Sequence, residues 1–194
     1  MRAVEAGEIL GLAAYEEIRP HFRARVIAAK KLRRVMLGEH MSVLFENRDT
    51  VMLQVQEMLR TERITKASAI QHELDTYNAL LPGPQRLSAT AMIEYADAAQ
   101  RDQMLERLVG VELRFYVEFE GERCFSESEA RTVKASRTTA VHYLGFPLSR
   151  AVYAALIAKS PGLSIGVDHP AYSAQATLGA AQIQSLAEDF APGA

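Results

Sequence analysis

Residues 111–120, Val-Glu-Leu-Arg-Phe-Tyr-Val-Glu-Phe-Glu, carry the clearest local pattern in the chain. Apolar residues occupy every second position, and charged residues with one tyrosine fill the positions between them. This period of two predicts a β-strand with one buried face and one face in solvent. Gly121-Glu122 suits a tight turn into Arg123-Cys124-Phe125, which predicts an antiparallel hairpin. We therefore expect antiparallel pairing to dominate the sheet.

The two halves of the chain differ in their patterns. Helical spacing predicts helices at 8–18, 20–37, 50–63, 66–80, 97–108, 149–162 and 173–189. Alternation predicts further strands at 41–46, 88–95, 138–148 and 163–168, and residues 126–137 form a polar connection. Regular βαβ units are absent, so the sequence predicts an α+β fold with a helix-rich N-terminal half and a mostly antiparallel sheet of about five to six strands packed with helices. We expect one domain over residues 1–194, because no linker divides the chain.

Composition limits the class of protein. The chain has 194 residues, 48% of them hydrophobic, and a net charge of −2 from 22 basic and 24 acidic residues. These values are typical of a soluble globular protein, and the balanced charge argues against a DNA-packaging protein. A lone Cys124 cannot form an intrachain disulfide, and no apolar run reaches the ~18 residues of a membrane span. Because residues 1–5 also open no apolar signal segment, we expect a cytoplasmic protein.

Basic residues are concentrated in one predicted helix, and residues 18–38 contain no acid. Winding this segment at about 100° per residue places an apolar face opposite a cationic one. The apolar face carries Phe22, Ala24, Ala28, Leu32, Val35 and Met36. The opposite, cationic face carries Arg19, Arg23, Lys30, Arg33 and Arg34, of which Arg19, Arg23, Lys30 and Arg34 form a stripe. We interpret the cationic face as a wet surface for an acidic protein partner, phosphate or anionic lipid. The alternative is a solvated face neutralised by acids from elsewhere in the fold.

Two charged residues break the apolar pattern of their helices. Arg25 projects from the predicted apolar face, and Glu62 continues the stripe of Val51, Val55 and Met58 in the next helix. A buried guanidinium requires a partner, so we predict that Arg25 pairs with Glu62 across the helix contact. The alternative places Glu62 on a frayed last turn that bends into solvent.

Two histidines also interrupt apolar faces. His142 shares a strand face with Leu144 and Phe146, and His169 follows Asp168 at the end of the last predicted strand. Because histidine binds metals and carries protons near neutral pH, His142, His169 and Asp168 are candidates for a pocket or a metal site, supported by Arg25 or Glu62. The alternative is a pair of core histidines bonded to backbone carbonyls. No local metal-ligand spacing supports a metal, and no P-loop or dinucleotide motif is present.

Four stretches resemble an uncharacterised bacterial family, the domain of unknown function 3501. They are residues 22–31 (Phe-Arg-Ala-Arg-Val-Ile-Ala-Ala-Lys-Lys), 56–64 (Gln-Glu-Met-Leu-Arg-Thr-Glu-Arg-Ile), 140–144 (Ala-Val-His-Tyr-Leu) and 166–172 (Gly-Val-Asp-His-Pro-Ala-Tyr). The resemblance assigns no activity and transfers no catalytic residues. Relatives are encoded near rubrerythrin-like and iron–sulfur reductase-like proteins, so the resemblance implies a redox or metal context.

Three functions are open at this point. The first is an accessory protein that binds a protein partner through the cationic face, in a redox or oxidative-stress context. The second is an enzyme that binds a metal or small ligand around His142 and His169, and nucleic-acid binding by the basic helix ranks below both. We expect a homodimer on general grounds, since symmetric dimers are the commonest soluble assembly. The residues identify no cofactor.

Overall fold

A computed structural model describes residues 1–128 and 136–191 of the chain. Its helices are α1 (Leu12–Arg33), α2 (Arg48–Thr61), α3 (Ala67–Asn78), α4 (Ala98–Arg107), α5 (Arg150–Ile157) and α6 (Ala180–Ala187). Its strands are β1 (Arg34–Leu37), β2 (Met41–Phe45), β3 (Arg86–Ile93), β4 (Phe115–Phe119), β5 (Glu122–Phe125), β6 (Glu127–Ser128), β7 (Val141–Pro147), β8 (Ser164–His169) and β9 (Tyr172–Thr177). No helix in these residues is both long and apolar enough to cross a membrane.

The strands form two sheets, and every pair of neighbouring strands is antiparallel. The five-stranded sheet has the order β1-β2-β3-β7-β6, and the four-stranded sheet has the order β5-β4-β8-β9. The predicted α+β class and antiparallel pairing are confirmed. The strands are more numerous than predicted and are divided between two sheets, because β1 and β9 lie in stretches predicted as helix and β6 lies in the predicted connection. Residues 129–135 of that connection lie outside the described part of the chain.

The hairpin that the opening pattern predicts is present. Val117 pairs with Cys124 across β4 and β5, and the two residues of the turn, Glu120 and Gly121, have φ angles of 50° and 84°. Positive φ at both positions is the backbone of a type I′ turn, which matches the twist of an antiparallel hairpin. The strand begins later than predicted, because residues 111–113 form a single 3₁₀ turn after Gly110.

One buried apolar cluster joins the two sheets. It includes Val43, Phe45 and Phe146 from the five-stranded sheet and Phe115 and Ile165 from the four-stranded sheet. Successive side chains of a strand point to opposite faces of its sheet. The five-stranded sheet therefore has a second face, directed away from this core, whose side chains are available for other contacts.

Helix α1 is continuous through Pro20, where the sequence predicted two helices. Proline lacks an amide proton and removes one backbone hydrogen bond, but its ring is exposed and the helix continues to Arg33. The predicted extension to Leu37 is wrong, since residues 34–37 pair with β2 as an edge strand. Val35 and Leu37 are buried there at alternate positions, which is the period of a strand.

The predicted C-terminal helix begins seven residues later than expected, at Ala180. Residues 172–177 instead form β9, whose side chains alternate between half-buried and exposed. This strand joins the sheets at their edges: the Tyr172 hydroxyl donates to the carbonyl oxygen of Leu37 at 2.6 Å. Gly38, with φ of 67°, makes room for this contact, because a Cβ atom there would lie 2.6 Å from the Tyr172 hydroxyl oxygen.

A second apolar cluster holds α2 and α3 together through Val51, Val55, Leu59, Leu74 and Tyr77. Both helices also line cavities over the outer face of the five-stranded sheet. The sheet and the helices therefore enclose a groove between them.

Candidate ligand-binding groove

The floor of the groove is the outer face of the five-stranded sheet, and its side chains are small and polar. Ser88 lies opposite Gly145, and Thr90 lies opposite Tyr143, in the register of β3 and β7. Ser42 on β2 lies on the same face, and Ser42, Ser88 and Thr90 are all buried. Their hydroxyl groups contact Arg34, the carbonyl oxygen of Leu144 and Glu46 respectively, so this face of the sheet is a polar surface rather than an apolar packing surface.

The groove contains two adjoining cavities of about 530 and 220 Å³. Both are lined by Tyr77, Leu80 and Tyr143, so they meet beneath the end of α3. The larger cavity has the size of a small-molecule site, which is roughly 300–1,000 Å³ in most proteins. We call the two together the sheet groove.

Arg86 lies flat on the floor of the larger cavity. A Cβ atom built on Gly145 would lie 1.8 Å from one terminal guanidinium nitrogen of Arg86, so the glycine provides the space that the guanidinium fills. Asp75 and Glu127 line the same cavity, but no described carboxylate comes within the 4.0 Å of an ion pair with Arg86. Within the described residues, this half-buried guanidinium therefore has no acidic partner.

The smaller cavity contains a buried carboxylate. Glu46, with 8% of its surface exposed, accepts hydrogen bonds from the hydroxyl of Thr90 at 2.6 Å and from that of Thr50 at 2.5 Å. Glu46 directly follows β2 and Thr50 lies in the first turn of α2, so the strand-to-helix connection fixes the acid in place. Lys30 and Arg34 line the same cavity. This end of the groove therefore offers an acceptor beside two cations.

The cationic face of α1 is largely turned into the fold, which corrects the predicted wet surface. The Arg19 guanidinium donates to both oxygens of Glu57 at 2.8 and 2.9 Å, and Arg23 donates to the same carboxylate at 2.6 Å. The Tyr15 hydroxyl donates to Glu57 at 2.7 Å. The hydrogen bond from Arg19 is the main reason that the pKa of Glu57 falls from 4.5 to about 2.

The apolar side of α1 points outwards instead. Ala24, Ala28 and Leu32 are exposed, whereas Val26 is fully buried. Arginine stems are long and apolar, so they pack against α2 while their charged ends reach its acid. Of the predicted partner face, Lys30 and Arg34 remain at the sheet groove, where Arg34 also donates to the hydroxyl of Ser42 at 3.0 Å.

The predicted pair of Arg25 and Glu62 is wrong. Arg25 is exposed and pairs with Asp49 in the first turn of α2 at 2.5 Å, whereas Glu62 is the exposed C-cap residue at the other end of that helix. Arg25 occupies the outer face of α1, so it is not desolvated and does not need a buried acid.

The buried guanidinium belongs to Arg33, which the sequence assigned to the wet side of the helix. Only 2% of its surface is exposed. It pairs with Asp189 and donates to the backbone carbonyl oxygens of Phe45 and Glu46 at 2.9 and 3.0 Å. Burial raises the pKa of Asp189 to about 6, although Arg33 acts in the opposite direction, so most of the carboxyl is ionised at pH 7.

His142 is buried on the core face of β7. Its Nε2 lies 3.2 Å from the hydroxyl oxygen of Thr138, and burial lowers its pKa below 6.5, although nearby Glu112 acts in the opposite direction. The Nδ1 atom of His142 and one oxygen of Glu112 have no hydrogen-bond partner in the described part of the chain.

His169 and Asp168 are engaged elsewhere. The Nε2 atom of His169 lies 3.2 Å from the carbonyl oxygen of Val109, and its Nδ1 accepts from the amide of Ala171 at 3.1 Å. Asp168 is exposed and pairs with Arg123 at 3.1 Å. No group of three or more His, Cys, Asp and Glu side chains capable of holding a metal occurs in residues 1–128 and 136–191. The predicted metal set of His142, His169 and Asp168 is therefore not assembled.

Comparison with known proteins places this fold in a family. A family model described as "Protein of unknown function (DUF3501)" matches residues 3–190. The chain belongs to the DUF3501 family. It is similar to a crystal structure described as a novel protein of unknown function from Burkholderia pseudomallei K96243, with 39% identity and a TM-score of 0.91 over 98% of this chain and 100% of that one. No curated protein matches the chain. The predicted family resemblance is thus confirmed.

The residues of the DUF3501 groove escaped the sequence patterns. Arg86 and Gly145 are 59 positions apart, and only the register of β3 with β7 brings them together. A weak local signal exists in β3, where Ser88 and Thr90 alternate with buried apolar residues and mark a polar second face. That pattern predicts a polar surface but does not identify the residue that lies across it.

Proposed function

We propose that this DUF3501 protein binds a small organic acid in the sheet groove. The observation that carries the proposal is the guanidinium of Arg86, laid into the space above Gly145 with no acidic partner among the described residues. A guanidinium presents a planar set of donors that matches a carboxylate or a phosphate in a two-point contact. The anionic group of the ligand would occupy the larger cavity.

The position of Arg86 supports a binding role rather than a surface role. Exposed arginines are hydrated and mobile, whereas this guanidinium is half-buried on a rigid strand. Half-burial without a counter-charge costs free energy, and an incoming anion would recover it. Ser88 and Ser128 line the same cavity and add hydroxyl groups that can bond to the ligand.

The second cavity indicates what else the ligand carries. Glu46 is an acceptor that already receives two threonine hydroxyls, and Lys30 and Arg34 line the same space. A ligand that spans both cavities would pair its acid group with Arg86 and present a hydroxyl or amino group towards Glu46. The cationic face of α1 offers a protein partner fewer free charges than the sequence predicted, because Arg19 and Arg23 already bind Glu57.

Thermal unfolding in the presence of defined acids tests the proposal. The probes are pyruvate, succinate, citrate, inorganic phosphate and pyrophosphate, each with the full-length protein. A ligand at about 100 times its Kd adds about 2.7 kcal/mol of stability, which raises the melting temperature by several degrees. We expect pyruvate, succinate or citrate to do so with the wild-type protein, and stabilisation by phosphate or pyrophosphate alone would overturn the assignment to an organic acid.

Two variants locate the site. Arg86→Gln removes the charge and is expected to abolish the shift, and Gly145→Ala is expected to weaken it by displacing the guanidinium. Arg114→Gln is the matched control, because Arg114 is exposed and lies outside the residues that line the groove. The proposal is overturned if no probe stabilises the wild-type protein, or if Arg86→Gln and Arg114→Gln respond equally.

A further inference from the structure

The outer face of α1 carries a regular stripe of exposed residues. Positions 14, 18, 21, 25, 28 and 32 follow one another at intervals of four and three residues. This heptad spacing places them in one line along the helix. All six are exposed, and Ile18 and Leu32 expose 44% and 47% of their surfaces. The 22-residue helix α1 therefore presents a coiled-coil seam to solvent, in which Arg25 is paired with Asp49 of α2.

The stripe is complementary to itself when it is reversed. If a second copy lies antiparallel and the midpoint of both stripes coincides at position 23, each residue of the stripe lies opposite a defined residue of the other copy. Ala14 then faces Leu32, Ile18 faces Ala28, and His21 faces Arg25. Each large apolar side chain meets an alanine, which allows two helices to approach closely.

The charges beside the stripe favour the same arrangement. Glu17 and Lys31 lie at equivalent heptad positions, are both exposed, and form no ion pair with another described residue. In the antiparallel arrangement, Glu17 of each copy lies beside Lys31 of the other, whereas a parallel in-register arrangement would place Glu17 beside Phe22, which offers it no charge. Arg25 of the two copies lies near the centre of the contact. Repulsion between the two guanidinium groups is weakened, because each Arg25 is paired with Asp49 and its guanidinium carbon lies 5.3 Å from the Phe22 ring centroid.

We propose that the outer face of α1 is the dimer interface of this protein, and that the second copy packs on it antiparallel about a two-fold axis near position 23. A helix of this length is about 33 Å long and covers roughly 300–400 Å² of each copy, below the roughly 800 Å² of a standard interface. The dimer is therefore in concentration-dependent equilibrium with the monomer. The stripe lies outside the residues that line the sheet groove, so the two proposals are independent.

Sedimentation velocity over about 1–500 µM protein measures the equilibrium. We expect the wild-type protein to shift from monomer to dimer within that range. Ile18→Glu and Leu32→Glu are expected to weaken dimerisation at least tenfold. Ile27→Glu is the matched control, because Ile27 is equally exposed, at 43%, but lies on another side of the helix. Circular dichroism verifies that each variant is folded.

A charge exchange tests the direction of the helices. Glu17→Lys and Lys31→Glu are each expected to weaken the dimer several-fold, and the double variant is expected to return within about twofold of the wild-type affinity. A wild-type protein that stays monomeric throughout the range overturns the proposal and leaves the stripe to a different partner. A dimer that responds equally to Ile18→Glu and Ile27→Glu, or a double variant weaker than both single variants, also overturns it.

Discussion

Replacing Glu57 by glutamine removes the acid that holds α1 against α2. Four hydrogen bonds reach its carboxylate from Tyr15, Arg19 and Arg23, at distances of 2.6 to 2.9 Å. The neutral amide cannot balance the two guanidinium groups, and its nitrogen is a donor that faces other donors. The substitution should therefore destabilise the protein without creating a cavity, because the two side chains have nearly the same volume.

The magnitude follows from the pKa of Glu57. Its fall from 4.5 to about 2 corresponds to roughly 3 kcal/mol of stabilisation of the ionised form in the folded state. Since the Glu57 side chain is 22% exposed, solvent screens part of this energy, and we expect a loss of about 2 kcal/mol at pH 7. Because the folded pKa is the lower one, the contribution is complete above pH 4.5 and is lost as the pH falls towards about 2.

Urea-induced unfolding, followed by circular dichroism, measures this contribution. The stability difference between the wild-type protein and Glu57→Gln should be about 2 kcal/mol at neutral pH and should fall to about half of that near pH 3. Glu106→Gln is the control, because Glu106 is exposed on α4 and makes no ion pair with a described residue. A loss at neutral pH below about 0.5 kcal/mol, or a difference that does not change with pH, would refute the reasoning.

Two further predictions concern buried polar groups. The pKa of His142 is lowered by burial, so the unfolded state binds more protons than the folded state below about pH 6.5, and stability falls as the pH decreases. The unfolding free energy of His142→Gln, measured in urea at each pH, should therefore change less between about pH 7 and 5 than that of the wild-type protein. An equal change in the two proteins would contradict this. Arg33→Met leaves Asp189 buried without its partner and should cost about 3–5 kcal/mol. The double variant Arg33→Met with Asp189→Leu should recover only part of that loss in the same assay, because the carbonyl oxygens of Phe45 and Glu46 stay unpaired; full recovery would contradict it.

Local patterns predicted those parts of the fold that depend on neighbouring residues. The hairpin of β4 and β5 follows from alternation and a two-residue turn, and helices α4 and α5 each begin beside a capping side chain. Asp97 accepts from the amide of Gln100 at 2.7 Å, and Ser149 accepts from the amide of Val152 at 3.2 Å. These interactions span three residues, so the sequence contains both partners within one helical turn.

The candidate site depends on partners that are far apart in the chain. Arg86 acquires its place from Gly145, and Glu46 acquires one of its two hydroxyl partners from Thr90, 44 positions away. The two histidines interrupt apolar patterns and indicated a functional site more strongly than the polar residues of β3 did. His142 nevertheless faces the core rather than the groove. A polar residue on an apolar strand face indicates a special environment, but the sequence does not say whether that environment is a site or a buried hydrogen bond.

Helix α1 shows why a periodic pattern can identify two faces and still assign them to the wrong sides. If its apolar face packed inwards, Glu57 on α2 would lose Arg19 and Arg23, and Asp189 would be buried without Arg33. The loss of partners at both Glu57 and Asp189 costs several kcal/mol, which outweighs what the burial of Ala24, Ala28 and Leu32 would return. Arg19, Arg23 and Arg33 are therefore internal ties, and the total charge of the helix does not describe the surface that another molecule meets. That surface is the exposed stripe on the outer face of α1, whose spacing and flanking charges favour a second copy of the same helix.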